Sequence, residues 1–220
     1  MKLQVLPTSF TQSSESGFTI IESLVAIIVT SILLTAISPV LVISTATRVQ
    51  SRRVELATQA AKTYIDGVQT KTIEPPGNPA DKTVTLNNFA TPTPGSLTCD
   101  ANKYCTVPAT PAKNLYCIDG NGNGKCMSNS SQDLVIQVFR YNKDTTDTEA
   151  GYQLGLRVYR ADAFTDNTAL KKNAPQKSTQ ATFTGGLGDR KAPLLEITTE
   201  INLNQPSYSN LCSRLGGCVP

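Results

Sequence analysis

The chain has 220 residues and a formal net charge of +3, too mild for nucleic-acid binding to rest on electrostatics. It contains no histidine, which excludes Ser-His-Asp hydrolysis and His-ligated metal sites. Only 17% of residues are charged, while Thr, Ser, Asn and Gly are abundant, a balance that suits one extracytoplasmic domain plus an extra element better than a cytosolic enzyme.

The first element is apolar. Leu24 to Ile43 reads LVAIIVTSILLTAISPVLVI, twenty residues without a charge. At about 1.5 Å per residue it spans a hydrocarbon core of about 30 Å. A secretory signal peptide would have a shorter apolar region, basic residues before it and a small-residue cleavage site after it. Here Lys2 is the single cation before the run, Glu15 offsets it, and Arg48, Arg52 and Arg53 follow. That order runs against the positive-inside rule. Glu22 stands at the head of the run, where a carboxylate is costly and marks function with a partner to be found.

Helical pattern continues past the apolar run. Leu56, Ala57, Ala60, Ala61, Tyr64, Ile65 and Val68 recur at spacings of three and four and make one apolar stripe. Gly67 and then Glu74-Pro75-Pro76-Gly77 are expected to close it. The reading is one helix of about fifty residues, about 75 Å long, apolar all round at first and then laying a stripe on a globular head. Pro39 inside it removes a backbone hydrogen bond and is expected to kink or loosen it.

Gly17-Phe18-Thr19-Ile20-Ile21-Glu22, joined to an uninterrupted apolar run with Pro39, resembles the class III signal of type IV pilins and pseudopilins. The resemblance implies a leader of residues 1–17, removed by a prepilin peptidase that cuts after Gly17 and N-methylates Phe18. It also implies a long N-terminal helix over 18–69, its membrane part about 18–45 and its amphipathic part about 46–68, and a head over 70–220. Glu22 and Pro39 then fall on the family's fifth and twenty-second mature positions. In the family that acid meets the terminal amine of a neighbouring subunit, so partners would be other pilin subunits and an inner-membrane assembly platform. Localisation would be the inner membrane in a single pass, N-terminus cytoplasmic and head periplasmic, followed by a periplasmic or cell-surface filament.

The head opens with an irregular connection over residues 70–133, punctuated by seven prolines from Pro75 to Pro111. Its length suggests function or pinning. The six cysteines fall as Cys99/Cys105, Cys117/Cys126 and Cys212/Cys218, with no CxxC to suggest zinc or thioredoxin chemistry. Six cysteines allow 15 pairings; the local ones are favoured here, with free buried thiols as the alternative. Strands are expected at Leu134–Phe139, Gln153–Tyr159 and Leu194–Leu203, with a hairpin connection over Asp144–Gly151. The fold class expected is α+β and type IV pilin-like: a long helix packed on a small antiparallel sheet with disulfide-rich loops.

Within the loops, Asp119, Asn121 and Asn123 with Gly124 fit the D-x-N-x-N-G opening of a calcium loop. The twelfth position is Ser130 rather than a bidentate Glu, so a disulfide-closed Asn-Gly turn is the preferred reading, Ca2+ the alternative and no other cofactor is expected. Asp162, Asp166, Asp189 and Glu196 read as solvated surface, since no spacing singles out a catalytic pair. No enzyme constellation emerges. The function expected is a minor pilin or pseudopilin; the alternative is a filament-tip adhesin for a surface, a polymer or DNA. Ser44 to Ala61, Tyr64-Ile65-Asp66-Gly67, Pro75-Pro76 and Ser209 to Gly217 resemble cyanobacterial pseudopilins of hormogonium polysaccharide secretion, which implies a filament that supports polysaccharide export and gliding.

Overall fold

The computed structural model describes residues 17–77, 87–107, 113–141, 148, 151–176, 178–180, 188–202, 208 and 212. Contacts divide the chain into two compact units, residues 1–44 and 45–220. Helix α1 runs over Ile20–Gln69, 50 residues, and passes through Pro39 without a break in its helical assignment.

In the first unit every described residue is exposed, from Gly17 to Ser44. This stretch contains a window of mean hydropathy 2.5 with 0% of it buried, so its apolar side chains have no partner within the unit. Its hydroxyls are satisfied locally. Thr30 donates to the Ala26 carbonyl at 2.7 Å, Ser31 to Ile27 at 2.7 Å and Thr35 to Ser31 at 3.0 Å. A helix whose polar groups close on its own backbone needs no water, which is the condition for sitting in hydrocarbon.

The second unit is built around a sheet. In chain order the strands are β1 (Cys99–Asp100), β2 (Leu115–Ile118), β3 (Lys125–Cys126), β4 (Leu134–Tyr141), β5 (Tyr152–Arg160) and β6 (Leu195–Ile201). Four of them form one sheet in the order β2-β4-β5-β6, and β1 pairs with β3. All pairings are antiparallel, with Val138 opposite Leu156 and Leu156 opposite Ile197. One face carries Leu134, Ile136, Val138, Leu154, Leu156 and Val158, and it packs on Ala57, Ala61, Tyr64 and Val68 of α1. Small alanines let the helix approach closely, and Tyr64 fills the remaining depth.

The other face is covered too. Val135 and Tyr159 lie with Cys117, Ala163, Phe164 and Leu170 in a second cluster. Strand β4 is therefore buried on both sides, which explains why LVIQVF reads as a continuous apolar run and not as an alternation. Gln137, the one polar residue in that run, donates to the Ala90 carbonyl at 2.7 Å and accepts from Arg157 Nη1 at 3.1 Å.

Several expectations change. Residues 70–133 are not one irregular connection: they hold β2, the edge strand of the main sheet, and the β1–β3 ladder. Apolar periodicity could not find β2, because Leu115-Tyr116-Cys117-Ile118 is only four residues long. The helix stripe is buried as expected at Ala57, Ala60, Ala61, Tyr64 and Val68, but not at Leu56. Leu56 is 38% exposed, while Gln50 is 1% exposed and donates to Gln180 Oε1 at 2.6 Å. Gly67 does not stop the helix, which continues to Gln69; the reversal comes at Lys71, in the left-handed region at φ 59°. Gly67 serves close packing instead, since a Cβ there would lie 2.5 Å from Ile73 Cδ1. Strand β6 ends at Ile201, and Leu203 lies outside the described residues, as does most of the Asp144–Gly151 connection.

Candidate processing and assembly site

The start of α1 explains its own position. Thr19 is non-helical, and its hydroxyl accepts from the Glu22 amide at 3.3 Å while its carbonyl accepts from Glu22 and Ser23, both at 3.1 Å. Thr19 is thus the N-cap and Glu22 occupies the third helical position, the T-x-x-E spacing of a capping box. That signature was present in the sequence; the bond seen is the one from the Glu22 amide to the Thr19 hydroxyl. A carboxylate in the first turn also faces the unmatched amides and the positive end of the helix dipole.

The cap leaves Gly17 and Phe18 outside the helix, the latter 83% exposed. The Gly17–Phe18 bond is therefore in non-helical chain that a protease cleft can take up. Among the described residues, a Cβ built on Gly17 meets nothing within 4 Å, and its φ is not in the left-handed region.

In the head, Cys99 is bonded to Cys105 and Cys117 to Cys126. Cys212 is disulfide-bonded as well, and its local candidate partner Cys218 lies outside the described residues. The two described bridges pin both strands of the β1–β3 ladder to the neighbouring chain, with Cys99 directly opposite Cys126.

Between Cys117 and Cys126 the side-chain oxygens close on the loop's own backbone. Asp119 accepts from the amides of Asn121 at 3.1 Å, Gly122 at 2.7 Å and Gly124 at 2.7 Å. Asn121 Oδ1 accepts from the Asn123 amide and Asn123 Oδ1 from the Lys125 amide, each at 3.0 Å. These amides, Gly124 first, hold the Asp119 carboxyl below its usual range. Asp133, fully buried, accepts from the amides of Gly120 at 3.2 Å and Met127 at 3.3 Å and so ties the two ends of the loop. Gly120 is required by close approach, because a Cβ would stand 2.1 Å from the Gln132 carbonyl oxygen. The turn is held by its own hydrogen bonds.

Of the four acids read as solvated surface, Asp189 is exposed and Asp166 half-exposed, whereas Glu196 and Asp162 are largely buried. Glu196 has a side chain only 14% exposed and pairs at 3.0 Å with Arg157, whose side chain is wholly buried. Arg157 also donates to the Phe89 carbonyl at 3.1 Å and lies 5.0 Å from the centre of the Phe139 ring. Asp162 is ion-paired with Arg160, Asp166 with Lys191 and Arg190, and Asp189 with Lys171. Asp162 meets a base two residues away, whereas Glu196, Asp166 and Asp189 meet bases distant in sequence, which spacing along the chain could not reveal. Lys191 holds Asp166, and Lys171 holds Asp189, below the ordinary carboxylate range. Among the described residues, no group of three or more His, Cys, Asp or Glu converges as metal ligands would.

An unburied apolar helix with a capped start, followed by an α+β unit with a four-stranded antiparallel sheet and disulfide-closed loops, is consistent with a type IV pilin-like fold. Residues 12–38 match the family model of the prokaryotic N-terminal methylation motif, the stretch that contains Gly17, Phe18, Glu22 and most of the apolar run. The chain carries a type IV pilin-like class III signal, a motif that implies processing by a prepilin peptidase and assembly with other pilin subunits. No curated protein and no solved structure matches the chain.

Proposed function

We propose that the chain is a minor pilin or pseudopilin of a type IV pilus-like or type II secretion-like filament. The observation that carries the reading is the Gly17–Phe18 bond, outside a helix capped by Thr19 and inside the N-terminal methylation motif. Hydrolysis of that bond would leave an α-amine on Phe18, two residues before the helix starts, and methylation would keep it cationic. In the monomer Glu22 lies exposed in the first helical turn. A carboxylate there is costly in hydrocarbon, and the terminal amine of a neighbouring chain is the counter-charge that offsets it. The misfit of one chain becomes a register contact between two.

In this reading α1 crosses the inner membrane once, with residues 1–17 cytoplasmic and the head periplasmic. An assembly platform in the membrane then passes the subunit to the filament. The resemblance of the Ser44–Ala61 stretch to polysaccharide-secretion pseudopilins supports a filament that exports polysaccharide for gliding. Mass spectrometry of the mature terminus tests processing, with N-methyl-phenylalanine at residue 18 expected. Glu22→Ala should leave cleavage intact and stop incorporation into filaments; normal incorporation would remove the pairing. Deleting the gene and scoring surface pili and secreted polysaccharide separately tests the finer assignment. Loss of pili with normal polysaccharide would assign the subunit to a pilus instead.

A further inference from the structure

The arginines just past the apolar run have no role in the reading above. They line a groove of about 720 Å³ within the second unit, between α1 and the β2 end of the sheet. Guanidiniums line it, among them Arg48, Arg53 and Arg160, together with the Asp119 carboxylate, which is engaged by the amides of its own loop; part of the wall is apolar, with Val49, Leu56 and Leu134. Leu56 and Val49 are 38% and 43% exposed, so this apolar surface faces the open groove.

The charges are incompletely matched. Arg160 is 8% exposed and its Nη2 is ion-paired with Asp162, yet its buried Nε has no hydrogen-bond partner among the described residues. Arg53 Nη1 is likewise buried and without a partner. Burial pushes the Arg53 guanidinium down from its ordinary value, the nearby Arg160 adds to the fall, and Asp162 offsets part of it. Arg48, exposed, makes no ion pair among the described residues. A bound oxyanion would offset this repulsion, and an apolar body attached to it would cover Leu56 and Val49.

We propose that the groove binds the headgroup phosphate of an anionic phospholipid. Arg48 and Arg53 would donate to the phosphate, and the apolar wall would take the glycerol and upper acyl carbons. Arg48 follows Ile43 by five residues of the same helix and Arg53 by ten, about 7.5 and 15 Å of helical rise. The headgroup zone outside the hydrocarbon core is about 5–8 Å thick, and arginine side chains reach several ångströms along it. A phospholipid phosphate therefore fits better than an acid on a second copy, because only the lipid is tied to the position of these arginines next to the apolar run. The assignment also gives a use to two of the three cations that stand on the unfavoured side of the span, Arg52 being ion-paired with Glu55.

The inference rests on insertion of α1 into a bilayer, and the test separates the two. The full chain is reconstituted into phosphatidylcholine vesicles containing spin-labelled phosphatidylglycerol or spin-labelled phosphatidylcholine, and the motionally restricted fraction of each is compared. Co-flotation with the vesicles is scored first. Failure to float overturns insertion and this inference with it; flotation without a preference for phosphatidylglycerol overturns the groove alone. The expected result is a clear preference that falls about fivefold in Arg48→Gln and again in Arg48→Gln/Arg53→Gln. Arg48 makes no ion pair among the described residues, so its replacement should leave thermal unfolding unchanged. An undiminished preference in both variants would overturn the assignment. Loss of the preference on adding inorganic phosphate would overturn it in favour of a free oxyanion. Cross-links from the groove to a second copy, with no lipid preference, would overturn it in favour of a protein occupant.

Discussion

Glu196→Ala should be among the most destabilising single changes in the head. Its carboxylate is the counter-charge of Arg157, which has no exposure of its own, and the pair stands at 3.0 Å. The second carboxylate oxygen accepts from the Asn173 amide at 3.0 Å, and Asn173 Oδ1 in turn holds the Ser178 and Thr179 amides, each at 2.9 Å. Truncation would remove the carboxylate that pairs with a buried guanidinium and the acceptor that holds the Asn173 amide. Removing one member of a buried pair costs about 3–5 kcal/mol, and the slight exposure of Glu196 places it near 3. For a unit of this size about 3 kcal/mol corresponds to a fall in Tm of about 6–12 °C. Circular dichroism melting of the full chain in detergent reads the shift. Glu196→Gln should cost less, because it keeps an acceptor for Arg157. The double variant Arg157→Met/Glu196→Ala should recover part of the loss, since no charge is then stranded. A Glu196→Ala protein within about 0.5 kcal/mol of the parent would refute the reasoning.

Acid should loosen the segment that contains Asp166 and Asp189. Their folded pKa values are depressed by Lys191 and Lys171, so their contribution is present above the unfolded value of about 3.9 and is lost as pH falls through the lower folded values. Asp166→Asn should therefore lower Tm at neutral pH, and the gap from the parent should close below the ordinary carboxylate range; a gap that persists there contradicts the assignment. Replacing Cys117 and Cys126 together by serine should cost about 2.6 kcal/mol for a loop of 9 residues, read from denaturant midpoints. Millimolar calcium should leave Tm unmoved, because Asp119, Asn121 and Asn123 already serve the loop's amides; a rise of several degrees that chelator reverses would restore the cation reading.

Sequence alone determined the elements whose cause is local. An uncharged run of membrane length, a Gly-Phe step before it and an acid at its head are written in consecutive residues, and so is the Thr19–Glu22 cap. The long strands β4 and β5 were legible because burial of a strand demands apolar side chains whatever covers them. Close cysteines likewise indicated their own loops. What depends on residues far apart could not be read this way. Strand β2 is only four residues long, and Gln50 is buried because Gln180, 130 residues away, receives its amide. Glu196 looked like solvated surface until the register of β6 against β5 set it opposite Arg157. A side chain's identity states what it can bond, but its cost or benefit depends on whether water or a counter-charge surrounds it, and only tertiary packing decides that.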